Sequence, residues 1–436
     1  MRSILVTGLC TLHWGRLQYG NVGNYYIVEP LFRQLSKHFK NYKIITTFQM
    51  DDSFIEKEHI EVLPMEFYYS WNNDLDLQNA YHDVENAEKF VHHQSSCALT
   101  PYLNVLLECD YVIDVSGDMW GDNAEHVGHN RFIVDCLKMK AAQILGKKTI
   151  LYAVTPGPFS KREEELLARE VFPKFSLVLI REKVSEKNLQ QWGFPVDNVQ
   201  WAPCPSYLFE PNASYKSQWT QWIEKSQLQG SKVVGLTFGG FNMPQGPYDM
   251  WPRENSQYDN FVTLAEYIVN ELSANIIIFS HTNGFELPPE FKLKNGRDFL
   301  ILNQFYNILL NKQATYKEKV ALIDEPLLPC NLKEVIGELD MLVTGRVHAS
   351  VAATSQYVPT VYIEYDRNVI YSDKMTGFSE QLGMAEFVCN PKNIDELKKK
   401  TAKCYYNLSS VRKRLQHEIP IIQKKAEEVF EEIKKV

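Results

Sequence analysis

The block Gly345-Arg346-Val347-His348-Ala349-Ser350 is where this sequence most clearly concentrates chemistry. Its glycine closes an apolar strand, and the small residues after it read as a helix over 349–355 that can sit close to a sheet. The N–H groups and positive end of such a helix point at whatever lies there, which suits an anion. Arg346 adds a fixed fork of donors matched to phosphate or carboxylate, with backbone donors at Val347 and His348 beside it. His348 carries the side chain whose proton moves near neutral pH. The plainer reading of the block is a packed strand–helix corner with an incidental arginine.

Polar groups gather at other strand ends as well. Arg181 either meets a ligand or pairs with Glu182 or Glu186. Asp118 and Asp122 are four residues apart in Ser116-Gly-Asp-Met-Trp-Gly-Asp122, a spacing open to metal ligation. With no neighbouring ligands they read as a turn and N-cap, and no metal is expected. His281 either caps a strand or takes part in the site. Gly20-Asn-Val-Gly-Asn24 enters a helix without the Gly-x-Gly-x-x-Gly nucleotide fingerprint. The short side chains of Asn21, Asn24 and Asp118 suit the alternating donors and acceptors of a sugar, and Trp120 offers a face for stacking.

These residues need strands to end where they stand. Near-continuous apolar runs at 3–7, 43–47, 111–116, 149–154 and 177–181 belong in a parallel sheet covered on both faces. Helical patterns at 22–40, 101–108, 126–145, 161–172 and 183–192 lie between them, with Gly146 and Gly193 as stops. Residues 50–100 carry no clear pattern. A second strand set at 233–238, 275–280, 321–324, 341–344 and 360–365 again alternates with helices. The expectation is an α/β protein of two facing, Rossmann-like, doubly wound domains with an interdomain cleft. Residues 1–210 would form the first domain and 211–230 a linker. Residues 231–390 would form the second, and 391–436 closing helices that return to the first.

Composition narrows the classes of function. In 436 residues, 46 Lys and Arg stand against 54 Asp and Glu, so the net charge of −8 argues against a general nucleic-acid-binding role. The eight cysteines never form Cys-x-x-Cys, which gives neither a zinc pattern nor a disulfide framework. No apolar run approaches the ~18 residues of a membrane span, and the opening run is too short for a signal-peptide core. A cytoplasmic protein is expected.

In order along the chain, several motifs resemble those of the polysaccharide pyruvyl transferases. They are Gly20-Asn-Val-Gly-Asn, Asp114-Val-Ser-Gly-Asp118, Gly157-Pro-Phe159, Leu179-Ile-Arg-Glu-Lys-Val-Ser185, Thr344-Gly-Arg-Val-His-Ala349 and Val358-Pro-Thr-Val-Tyr-Ile-Glu-Tyr365. Asn24 stands where many members carry Asp, so no carboxylate is supplied there. The resemblance implies a fold similar to double-Rossmann glycosyltransferases of the GT-B type. It also implies transfer of pyruvate from phosphoenolpyruvate to a sugar diol as a ketal, with release of phosphate and no cofactor. The family's donor-binding arginines would fall on Arg181 and Arg346, and its essential histidine on His348. The acceptor would be a hexose of a surface polysaccharide, in one form lipid-linked, which would bring the protein to the inner face of the membrane. A sugar-nucleotide glycosyltransferase and a non-catalytic carbohydrate-binding protein are the competing classes, because fold does not fix function.

Overall fold

The computed structural model describes residues 2–11, 17–70, 72–93, 99–286, 292–365 and 373–436; Cys97 lies outside them. The chain divides into two compact units. One comprises 1–17, 27–205 and 425–436, the other 18–26 and 206–424.

The first unit is built on seven strands: β1 (Arg2–Thr7), β2 (Tyr42–Thr46), β3 (Ile60–Val62), β4 (Cys109–Asp114), β5 (Lys148–Val154), β6 (Leu177–Ile180) and β7 (Val199–Trp201). They pair in the order β3-β2-β1-β4-β5-β6-β7, every pair parallel. β6 is buried along its whole length, as a central strand covered on both faces must be. The unpatterned stretch holds β3 and the helix Asn73–His93, which packs on the helix Arg131–Ile144. Periodicity is blurred there because the buried face carries Asp83, ion-paired to Lys138 at 2.6 Å with both side chains nearly inaccessible.

The second unit has β8 (Val233–Thr237), β9 (Asn275–Ile278), a hairpin of β10 (Asn283–Phe285) and β11 (Leu293–Asn295), β12 (Val320–Leu322), β13 (Met341–Thr344), β14 (Thr360–Ile363) and β15 (Val388–Cys389). Its six-stranded sheet runs β12-β9-β8-β13-β14-β15, again all parallel. Strand order reverses between β1 and β4 in one unit and between β8 and β13 in the other. In open α/β sheets, ligands bind beyond the carboxyl ends of strands at such a switch point.

The boundaries differ from those expected. Residues 18–26 group with the second unit, because Asn21 bridges Thr282, the Asn283 amide donates to the Gly20 carbonyl, and the Tyr26 hydroxyl donates to Pro329 O at 3.0 Å. Residues 211–230 are no linker. Ser217 and Thr220 form a capping box on the helix Gln218–Leu228, whose Ile223 is buried in the second unit's core. The helix Ile394–Tyr406 belongs wholly to the second unit. Only the last turns of the helix Leu408–Lys435 group with the first, where Phe430 packs on Tyr152 and His38.

Candidate active site

At the second sheet's switch point, β13 runs into Gly345 and the chain turns into the helix Val347–Thr354. Thr344 Oγ1 organises the turn by accepting from the Arg346 amide at 2.9 Å. Arg346 takes the N-cap position with extended backbone, so the first-turn amides that follow have no intrahelical acceptor. The Asn242 side chain braces the same corner. It accepts from the Gly239 amide at 3.0 Å and donates to the Glu364 carbonyl at 3.0 Å, tying together the ends of β8 and β14. A Cβ on Gly345 would lie 2.2 Å from Asn242 Oδ1, which requires glycine there.

The Arg346 guanidinium is gripped on one edge by Asp298. Nε donates to Oδ2 at 2.8 Å and Nη2 to Oδ1, and the carboxylate is almost fully buried. Asp298 stands in the first turn of the helix Arg297–Lys312, its amide donating to Thr282 Oγ1. Gly239, just after β8, admits the pair: a Cβ there would sit 2.6 Å from both Nη2 and Oδ1. Phe241 lies under the guanidinium at 5.4 Å and stacks on Tyr248, over which the exposed Arg297 is placed at 4.5 Å. A second cation thus stands at this strand end.

Two histidines flank the arginine with different chemistry. His281 is buried against Tyr26, ring centroids 5.4 Å apart, and its Nε2 has no hydrogen-bond partner. Burial, reinforced by the Arg346 charge, pushes its pKa down to about 3, so it is a neutral imidazole at ordinary pH. His348 is half-buried in the first helical turn, edge-on to Phe378 at 6.2 Å. The backbone of Gly23 lies against its ring: a Cβ on Gly23 would fall 2.4 Å from His348 Nδ1 and 2.8 Å from its Cβ. Asn21 shapes that approach by accepting from the Gly23 amide at 2.9 Å. The Gly-Asn-Val-Gly-Asn motif is therefore a seat for His348. Asn21 and Asn24 lie on the second unit rather than on first-domain loops.

In the first unit, Arg181 follows β6 and is 1% exposed. Its Nε donates to Thr155 Oγ1 at 2.8 Å, and Nη2 faces Asp118 Oδ1 at 3.6 Å. Burial works against the charge, yet Asp118 and the neighbouring groups hold the pKa above the usual arginine value. Glu182 does not bond Arg181 directly. It accepts from Thr155 Oγ1 and from the Ser185 amide, starting the helix Val184–Gln191. Asp118 therefore serves Arg181, while Asp122 accepts from the Ser160 amide. Trp120 cannot stack on a ligand. It is fully buried among Phe132, Phe159 and Phe172, because its indole fills the space between the sheet's loops and the helix Arg131–Ile144.

Beneath that loop lies a buried acid pair. Asp114 ends β4 and accepts from Ser116 Oγ, while Asp135 accepts from the Tyr68 hydroxyl. Each leaves one oxygen, Oδ2, without a partner, an arrangement that one proton held between them satisfies. Burial and then Asp135 raise the Asp114 pKa well above the usual range, and burial raises Asp135 to about 6. Among the described residues, no group of three or more His, Cys, Asp or Glu is arranged to hold a metal ion.

Asp298 and Asn242 were not singled out from the sequence. Only the Asp298 carboxylate, at a helix start among apolar residues, carried a signal that could have been read.

Two parallel-sheet α/β domains with ligand-ready strand ends define a double-Rossmann protein of the GT-B type, and solved structures agree. A glycosyltransferase from Rickettsia africae is 12% identical with a TM-score of 0.55, covering 100% of this chain and 99% of its own. Anabaena HepE in complex with UDP is 12% identical with a TM-score of 0.56 and full coverage of both chains. UDP-GlcNAc 2-epimerase from Neisseria meningitidis is 11% identical with a TM-score of 0.54, again with full coverage of both. At such identities the likeness is one of fold. Among curated proteins, none matches the chain in sequence. The model of the polysaccharide pyruvyl transferase family matches residues 21–367, and the chain belongs to that family.

Proposed function

We propose that this transferase moves the pyruvyl group of phosphoenolpyruvate onto two hydroxyls of a hexose in a surface polysaccharide, forming a ketal and releasing phosphate. The observation that carries the reading is Arg346, oriented by Asp298 at a switch point, with His348 two residues further on. Phosphoenolpyruvate presents a carboxylate and a phosphate, both suited to bidentate recognition by a planar guanidinium whose orientation Asp298 sets. Arg181, held by Thr155 and Asp118, is assigned to the donor as well.

The chemistry needs one proton delivered to the methylene carbon, which makes C2 electrophilic. The first hydroxyl adds to C2 and loses its proton. The C–O bond to phosphate then breaks, and the second hydroxyl closes the ketal. The two hydroxyl protons account for the new methyl hydrogen and for the proton carried by the released phosphate. His348 is assigned this proton traffic. His281 is not, because it stays unprotonated until pH falls to about 3; its role is hydrogen bonding beside Arg346. Donor cations neutralise the charge that develops as phosphate departs. An acceptor on a lipid-linked unit would bring the chain to the membrane's inner face; no helix among the described residues is long and apolar enough to cross it.

The test is incubation with phosphoenolpyruvate and a panel of pyranosides, following phosphate release and the mass gain of a pyruvyl ketal. Stoichiometric appearance of both supports the reading. Turnover of a UDP-sugar with none of phosphoenolpyruvate would instead establish the glycosyltransferase alternative, which the UDP-bound fold neighbours keep in view.

A further inference from the structure

The amino ends of the first sheet's strands, opposite the ends that carry Arg181, surround a cavity of about 540 Å³. That volume falls within the ~300–1,000 Å³ range of small-ligand sites. Its lining includes an edge-to-face cluster of the buried Phe39 and Tyr111 with the half-buried Tyr42. Five cations line it, Arg2, Lys40, Lys147, Lys148 and Lys434, against one carboxylate, Asp110. In a chain of net charge −8 this is a pronounced local reversal.

Several of these cations are braced. Arg2 donates to the Tyr42 hydroxyl at 3.2 Å and reaches Asp110 at 3.9 Å. Lys148 Nζ stands 5.2 Å from the Tyr111 ring, and Lys147 donates to the Leu107 carbonyl at 3.1 Å. Lys434 is shared between Glu431 at 2.8 Å and the Phe39 ring at 5.7 Å. Lysines near helix carboxyl ends often only offset the macrodipole, and four helices end here, at His38, Glu108, Ile144 and Lys435. At about half a charge each, those ends together with Asp110 and Glu431 leave a surplus of about +1. A phosphate monoester carries roughly −1.5 to −2 at neutral pH.

We propose that this cavity is a binding site for a phosphate monoester, with room left for the group esterified to it. It stands apart from the strand-end arginines. Lys148 opens β5, whereas Thr155, the partner of Arg181, follows its other end, roughly 20 Å away at a strand's rise per residue. The chemistry is shared by soluble phosphorylated metabolites and by lipid phosphate headgroups, and the experiment separates the two sources.

The probes are glycerol 3-phosphate, followed by calorimetry, and phosphatidylcholine vesicles with and without phosphatidic acid, followed by co-sedimentation. Wild type is compared with Lys40→Gln/Lys147→Gln/Lys148→Gln, whose fold is checked by melting, and with Lys40→Gln alone. Glycerol 3-phosphate affinity should fall at least tenfold in the triple variant and less in the single one. Sedimentation of wild type, but not of the triple variant, with phosphatidic acid vesicles assigns a lipid source. Glycerol 3-phosphate binding without sedimentation assigns a soluble one. If wild type binds neither probe, or the folded triple variant binds them as wild type does, the site does not exist. Neither result depends on pyruvyl transfer.

Discussion

Gly239→Ala is the cleanest probe of the Arg346–Asp298 pair, because it changes geometry without changing charge. Replacing Asp298 by Asn would loosen Arg346, but it would also remove a negative charge from the neighbourhood of an incoming anion, and the two effects oppose each other in donor affinity. Gly239 has φ −142°, a value alanine adopts without strain, so only the added methyl matters. That Cβ would lie 2.6 Å from both Nη2 and Oδ1, where ordinary contact is about 3.5 Å. The two partners must therefore retreat by roughly 0.9 Å, and overpacking of this kind costs about 1–3 kcal/mol. About 0.4–1 kcal/mol returns from the stiffer unfolded chain. The net loss in unfolding free energy should be about 0–2.6 kcal/mol, read from urea titration. A guanidinium misplaced by about 1 Å should lower kcat/KM for phosphoenolpyruvate by roughly ten- to a hundredfold, mainly through KM. Phosphate release against donor concentration measures it. In a double-mutant cycle with Asp298→Asn the stability losses should be non-additive, since both act on one pair. Wild-type stability and KM in Gly239→Ala would show that the pair does not orient the donor's anchor.

The other predictions concern the histidine and the buried acids. Gly23→Ala should drive His348 from its seat and lower kcat at least tenfold while KM for phosphoenolpyruvate changes little, because the clash reaches the His348 Cβ and cannot be relieved at the ring tip alone; an unchanged kcat would mean His348 only packs the corner. His348→Gln should cost about 10²–10⁴ in turnover with donor binding retained, as loss of a general acid–base group does, and near-normal turnover in the folded variant would remove it from the mechanism. Asp114 and Asp135 hold protons in the native state that the unfolded chain has already lost, so their contribution is full below about pH 4 and fades as pH rises through 6 and beyond. Asp114→Asn keeps an acceptor for Ser116 and should flatten that decline, which can reach about 1.4 kcal/mol per pH unit for each proton; urea midpoints at pH 5 and pH 8 that fall equally in variant and wild type would show that the pair does not titrate.

The two doubly wound units and the residues at their strand ends were legible in the chain's local composition. Strands buried on both faces must be apolar throughout, as in β6 and β13, and a parallel sheet forces helices between them, so the alternation is written in local composition. Arg346 and His348 were legible because a glycine, a fork of donors and a titratable ring fell within four residues. Their partners were not. Asp298 lies 48 residues from Arg346, and Gly23 lies far from His348, and no local pattern joins them. Residues 18–26 joined the second unit through bonds to Thr282, Asn283 and Pro329, although they precede most of the first. Trp120, read as a sugar platform from its place in a polar loop, is enclosed by three phenylalanines drawn from distant positions. Side-chain type and strand ends are properties of a short window, whereas orientation, protonation and burial depend on which distant groups the packed chain brings within a few ångströms.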